Sequence, residues 1–434
     1  MVQRGHQDRS ARRLRHVPAD LALTTAAPSP VTTGPIAGGA LPYLATAGFA
    51  SMASIRIADA MLPALAAEFG DTPAAMAPVI TLFSLAYGAM QVVWGPLGDR
   101  LGKLRVIGWA ALAAMLGSIA CALAGSLAAL SLARLATGAC CAAIIPLAIA
   151  HVGDTVDYTT RQATLARLST GTLTGLIAGQ VLGGFAADTL GWRSGFGLLA
   201  VVFLAAGVAA LRLHARTALA PRPVPPGGAS MALGLVRGWA AVFASPMGIP
   251  VLLTGLFEGA LIFGALAFVP TWLHLRTGMA LTAAGGAVAA VGLGGLAYSV
   301  SARRLIPLLG ERGLTTLGGA LIGLGDVGLV VFIGDRADAL TWTVALIGCG
   351  VAGVGFYMLH NTIQVLATQL VPQSRATAVG LFAGSIFVGQ AVGVAIAAPL
   401  GATIGHEWVL AGSGVLMAVL GAAIGTVLVR RRAS

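Results

Sequence analysis

The stretch Gly95-Pro96-Leu97-Gly98-Asp99-Arg100-Leu101-Gly102-Lys103-Leu104-Arg105 sits between two long apolar runs, 75–94 and 106–127. A short polar segment in that setting is a hairpin turn joining two membrane-spanning helices. Gly95, Gly98 and Gly102 permit close helix approach and a tight reversal. Asp99, Arg100, Lys103 and Arg105 place one carboxylate among cations at a single membrane face. Cations alone would only set orientation in the bilayer. Glycines at these offsets, and an Asp ahead of the Arg, ask for more than a solvated loop.

The whole chain agrees with a membrane setting. It has 434 residues, 9% of them charged, and a mean hydropathy of +0.89, which excludes an ordinary soluble domain. Sixty glycines suit helices packed closely in lipid. The net charge of +11 is carried mostly by Arg, yet the cations mark membrane loops, so no nucleic-acid partner is expected. Cys121, Cys140, Cys141 and Cys349 lie inside apolar runs, without metal-ligand spacing or an aqueous setting for disulfides. No metal, cofactor, nucleophile–base pair or ATP-binding loop is legible, which argues against an enzyme and leaves an ion gradient, or the substrate's own, as the energy source.

Twelve apolar stretches are predicted as spans, near 41–66, 75–95, 105–126, 128–151, 163–187, 194–213, 246–273, 280–300, 313–333, 339–362, 376–399 and 408–429. Residues 1–40 read as a disordered basic tail, 41–213 as a first six-helix bundle, 214–245 as a Pro-rich linker, 246–429 as a second bundle and 430–434 as a short tail. Loops on the side of the N-terminus carry Arg100, Lys103, Arg105, Arg161, Arg167, Arg212, Arg216, Arg222, Arg237, Arg303, Arg304, Arg312 and Arg375. The other side carries Arg193, Arg276 and Arg336, so both termini are expected in the cytoplasm. The two halves also repeat. A shift of 214 residues sets Arg161 on Arg375, Gly175 on Gly389, Gly179 on Gly393 and Gly191 on Gly405, while Pro63 and Pro270 end similar runs. The expected fold is therefore an all-α membrane protein of twelve helices in two pseudo-symmetric six-helix bundles.

Polar residues inside apolar runs are costly and mark cavities or partners. Arg56 and Asp59 share a face of span 1; they are either a self-neutralising pair or a titratable carboxylate beside its cation. Arg134 in span 4 is either a buried cation or one snorkelling to the outer interface. Glu258 in span 7 is a second proton site or a partner for a cation on another helix, and Asp326 in span 9 reads as a structural partner. Tyr357, His360, Asn361 and Gln364 form one stripe on span 10, and Tyr87, Gln91 and Trp94 another on span 2. Each stripe lines a substrate cavity or makes helix–helix hydrogen bonds, and Gln180 in span 5 joins the cavity candidates.

The opening stretch resembles the signature loop of the major facilitator superfamily, G-x-L-(A/G)-D-(R/K)-x-G-(R/K)-(R/K). It matches at Gly95, Leu97, Gly98, Asp99, Arg100, Gly102 and Lys103, and departs at Leu104. Arg134, Gly138 and Ala142 resemble the family's motif in span 4, with Thr137 in place of Gln and Cys140 in place of the later Gly. Gly175, Gly179, Gly183 and Gly184 resemble its antiporter motif in span 5, with Gln180 in place of Pro. The run from Asp59 to Pro63 looks like that of bacterial efflux proteins. The resemblance implies a gating loop in which Asp99 meets the N-terminus of span 11 and Lys103 pairs with Asp154 or Asp157. It also implies that Arg134 assists proton transfer.

A proton-coupled exporter of small organic compounds in the bacterial plasma membrane is the expectation that follows. It would work as a monomer, with Asp59, Arg56, Arg134 and Glu258 coupling to protons. A sugar or metabolite exporter or an uptake symporter on the same fold, and a non-transporting membrane sensor, are the alternatives.

Overall fold

The computed structural model describes residues 39–217, 228–371 and 374–433. The tail expected over 1–40 and the Pro-rich centre of the linker lie almost wholly outside them. Among the described residues the chain is helical, with no strand. Backbone groups in lipid must bond within their own segment, and the helix achieves this for an open chain.

Among the described residues eleven helices are long and apolar enough to cross a membrane. They are α1 (Leu41–Phe69), α2 (Ala74–Leu101), α3 (Lys103–Ala122), α4 (Leu127–Thr155), α5 (Thr159–Leu190) and α6 (Trp192–Arg216). After α7 (Gly228–Ala244) come α8 (Gly248–Thr277), α9 (Leu281–Phe332), α10 (Ala339–Gln369), α11 (Arg375–Ile404) and α12 (His406–Leu428). The helix α7 is a departure from the irregular linker expected over 214–245. Its Val242 packs with Val371 and Ala378.

A second departure is α9, one helix of 52 residues where hydropathy splits two spans. At 1.5 Å per residue it would be roughly 78 Å long, more than twice the hydrocarbon thickness of ~30 Å. Gly310 resolves this: its φ of 60° and ψ of −179° break the helix. Gly294 before the break and Gly325 after it press on the same turn of α10, around Ala352 and Gly353, so the chain folds back at Gly310.

Two glycine seams hold the helix pairs together. A Cβ on Gly175 or Gly179 of α5 would lie 2.7 Å and 2.8 Å from the Cα atoms of Phe49 and Ala53 of α1. On Gly389 or Gly393 of α11 it would lie 3.0 Å and 2.6 Å from those of Leu256 and Ala260 of α8. The seams are backbone against backbone, open only to glycine. The sequence repeat is thus a structural one.

Both α1 and α8 are interrupted at matching places. Proline lacks an N–H and clashes with the carbonyl four residues back. Ahead of Pro63 the helix gives way to a tighter turn at Asp59–Met61, and ahead of Pro270 it breaks after Gly264–Leu266. In α8 the break is preceded by a π-turn, Gly259–Phe263.

Contacts also define two membrane faces. On the distal face Trp192 Nε1 donates to Glu68 Oε2 (2.6 Å), and Arg193 pairs with Glu68 and donates to Ala124 O. There too Arg276 pairs with Asp335 (3.0 Å). The opposite face, where α2 meets α3 and α4 ends, holds the signature loop. The larger apolar core is built from the first half but takes in Ala267, Phe268, Val394, Ala397 and Ala398 from the distal part of the second.

Candidate functional site

Asp59 lies in the interrupted turn of α1, wholly buried. Arg56 Nη1 is 3.4 Å from its Oδ2, and Gln180 Nε2 donates to the same oxygen at 2.9 Å. The pairing expected for Arg56 and Asp59 is present. Gln180, a cavity candidate in the sequence, binds the carboxylate. The other Asp59 oxygen and Gln180 Oε1 are buried with no partner among the described residues. Such orphaned atoms cost ~1–3 kcal/mol each and concentrate at functional sites.

Arg134 is wholly buried, so the snorkelling alternative falls. Its Nη1 donates to Ser54 O (2.8 Å), its Nε to Val79 O (3.2 Å), and its guanidinium lies 3.9 Å above the Phe83 ring. It ties α4 to α1 and α2, one turn of α1 below Asp59.

In the other half, Glu258 is buried at the start of the π-turn, and His360 Nδ1 lies 3.2 Å from its Oε2. That is the partner on another helix anticipated for Glu258. His360 is stacked between Phe356 (5.0 Å) and Phe382 (5.6 Å). Phe356 meets Phe263 edge to face at 5.0 Å, and Arg56 lies 4.2 Å above the Phe263 ring. An aromatic bridge thus joins the two ionic centres across the halves. Phe263 and Phe356 were invisible beforehand because an apolar residue in an apolar run carries no signal.

The remaining candidates scatter. Tyr87 is buried against Phe387 of α11 (4.2 Å) and Trp94 Nε1 donates to Ala139 O of α4 (2.8 Å), so the α2 stripe makes helix–helix contacts. Gln91 is buried near Gly380. On α10 Tyr357 presses on Gly295, Asn361 is half-buried and Gln364 is exposed. Asp326 is buried beside Gly414, without the ionic or hydrogen-bonding partner expected among the described residues. Gln390, fully buried with both amide atoms unpartnered among the described residues, went unnoticed, although an amide inside an apolar run is itself a signal.

The signature stretch is less of a loop than expected. Helix continues to Leu101 through Pro96, only Gly102 (φ 91°) leaves it, and the next helix starts at Lys103. Gly98 packs on Leu147, while Gly95 faces open space and needs no close approach. Arg100 is exposed. Lys103 Nζ reaches Asp154 Oδ2 (2.6 Å) and Asp99 Oδ1 (2.8 Å), choosing Asp154 over Asp157. Asp99 pairs with Lys103, not with the N-terminus of α11, among the described residues. A neighbour four residues on in sequence is within its reach without any approach of the halves.

Buried charged and polar pairs inside apolar helices, with a cluster of charges where α2 meets α3, suit a membrane transporter. The model of the Major Facilitator Superfamily matches residues 44–391, and the chain belongs to that family. It is a transporter and not an enzyme. It is 23% identical over 83% of its length to the uncharacterized MFS-type transporter YceJ of Bacillus subtilis (strain 168), covering 88% of that protein. It is 27% identical to a probable transporter of Streptomyces coelicolor, over 93% of this chain and 90% of that one. Over 43% of its length it is 30% identical to the cephamycin export protein CmcT of Amycolatopsis lactamdurans, covering 38% of that protein. The fold is shared with a peptide transporter POT in complex with sulfate (TM-score 0.71, 17% identity, 90% of this chain and 94% of that one). It is also shared with the nucleoside transporter NupG (TM-score 0.67, 15% identity, 88% and 99%).

Proposed function

We propose that this transporter exports small organic compounds in exchange for protons, by alternating access of a central site to the two membrane faces. The observation that carries the reading is buried Asp59, gripped on one oxygen by Arg56 and Gln180 and orphaned on the other. A carboxylate's proton affinity depends on its charge partners and hydrogen bonds. Parting Asp59 from Arg56 during the cycle would let it take up a proton, and restoring the pair would expel it. Arg56 rests on Phe263 of the other half, so movement between halves acts on this pair directly. The export-named relative supports the direction.

The fold-back at Gly310 supports counting α9 as two spans, giving twelve in bundles 41–213 and 246–429. The cation-rich loops support a bacterial plasma membrane location with both termini cytoplasmic, and nothing at the site requires a second copy. Cross-half contacts run from the distal face to the centre, and the ion pairs of Lys103 stay within one half. On this reading the arrangement is an inward-facing state. Asp99 then leaves Lys103 for the N-terminus of α11 when the inner side closes.

A second reading is uptake in symport with protons, favoured by Gln180 where the antiporter pattern has Pro. Inside-out vesicles with an internal pH-sensitive dye test both. Adding an exported lipophilic cation or antibiotic to energised vesicles should release internal protons in the wild type and not in Asp59→Asn. Proton loss with the same sign as compound exit would favour symport. Compound movement indifferent to the gradient, and equal in the variant, would refute coupling through Asp59.

A further inference from the structure

The N-terminus of α9 lacks a cap of its own. Its N-cap residue is Ala280, which has no side-chain acceptor, so the first N–H groups of the helix need a partner from elsewhere. Other helices on the distal face solve this locally. Thr72 accepts from Ala75 N, Ser126 from Ala129 N, and Asp338 from Thr341 N.

For α9 the partner comes from the opposite half, 93 residues away. Asp188 Oδ1 accepts from Leu281 N (3.1 Å), and its Oδ2 accepts from Thr282 N (2.7 Å) and from Thr282 Oγ1 (2.6 Å). A carboxylate at a helix N-terminus is favoured by both the free N–H groups and the helix dipole. Asp188 is placed there by the π-turn Ala186–Leu190 that ends α5. One turn earlier Gly184 gives the approach its room, since a Cβ there would lie 2.6 Å from Thr282 N.

We propose that Asp188 is the latch of the distal gate. It holds α5 to α9 while the site faces inward and must release Leu281 and Thr282 before the site can open outward. Asp188 is then the counterpart, on the other face, of Asp99 in the signature loop: each is a carboxylate of the first half suited to cap a helix of the second. The proposal rests on the alternating-access reading above. It adds the residue that sets the balance between the two states.

Spin-label distances test it. Labels at Leu123→Cys and Arg336→Cys report across the distal face, and labels at Thr159→Cys and Leu308→Cys across the inner one. The background has its four native cysteines replaced and transport retained. In Asp188→Ala the distal distances should lengthen and the inner ones shorten, the outward-open population rising about tenfold, the usual scale for a lost charged cap. Asp188→Asn, which keeps one acceptor, and Thr282→Val, which removes one donor, should shift the populations in the same direction by less. Thr282→Val decides the matter if Asp188→Ala does not fold. Wild-type distances that respond to pH or compound, with variants that superpose on them, would overturn the latch and leave alternating access standing. Wild-type distances that never change under any condition would overturn alternating access, and the latch with it.

Discussion

The two halves share a skeleton and differ in chemistry. Phe49 and Leu256, Ala53 and Ala260, Arg56 and Phe263, and Pro63 and Pro270 all pair at one offset of 207 residues along α1 and α8. The first two pairs lie against matching glycines, and the last interrupts both helices. Between them the third pair meets face to face, Arg56 over Phe263, as equivalent residues do at a two-fold axis. The acids break the symmetry. At the same offset Asp59 answers to Leu266, and Glu258 answers to Ser51. Asp59 is held by a guanidinium and an amide, whereas Glu258 is held by an imidazole. A repeat of this kind fixes where helices pack, and leaves each half free to carry its own ionic centre.

Substitutions at the seams should hurt most and should hurt both halves alike. Gly179→Val and Gly393→Val each drive a branched side chain into backbone, costing about 1–3 kcal/mol or more, and folded protein should fall in parallel by size-exclusion yield. A large disparity would mean the seams are not equivalent.

The acids should then separate the halves. Asp59→Asn should abolish compound-driven proton release, while Glu258→Gln should retain it with altered dependence on compound concentration. Equal loss in both would make one shared site of two centres. Below these lies the aromatic bridge: Phe263→Leu should cost about 0.5–2 kcal/mol of stability by removing the cation–π contact with Arg56, read as a lowered Tm in detergent.

The smallest effect concerns two caps at matching places, Ser126 of α4 and Asp338 of α10. Hydrogen bonds from Thr341 hold the Asp338 carboxyl below the usual carboxylate range. A depressed folded value stabilises above the unfolded value and is lost as pH falls through the folded one. Asp338→Ser should keep the cap, as Ser126 does, and remove this acid-range loss from a plot of Tm against pH.

Much of this was legible in the sequence because lipid punishes polar atoms. Arg56, Asp59, Arg134 and Glu258 stand out of apolar runs, and all four are buried in polar or ionic contacts. Glycine spacing announced the seams. The reversal at Gly310 was legible as a basic turn, but its single-residue form was not, since hydropathy does not report backbone angles. The stripe Tyr87, Gln91 and Trp94 left two readings open because a polar group in lipid is equally satisfied by a cavity or by a neighbouring carbonyl, and Trp94 takes the carbonyl of Ala139. Asp188 went unread because an acid at a span's end has ordinary reasons to be there, and only the missing cap at Ala280, far along the chain, gives it a task.

The glycine seams have a mechanical consequence. Where backbone rests on backbone there are no side chains to bend, so α1 with α5, and α8 with α11, behave as stiff beams. Strain delivered to such a beam travels to its first weak section. In both that section begins where the seam ends, overlapping its last contacts, at 57–61 and at 259–268, where the helical pitch changes ahead of a proline. Asp59 and Glu258 sit in or beside those sections. On the proposed cycle the joints that absorb the motion and the charges that sense it would be the same few residues, with force and protonation read at one place.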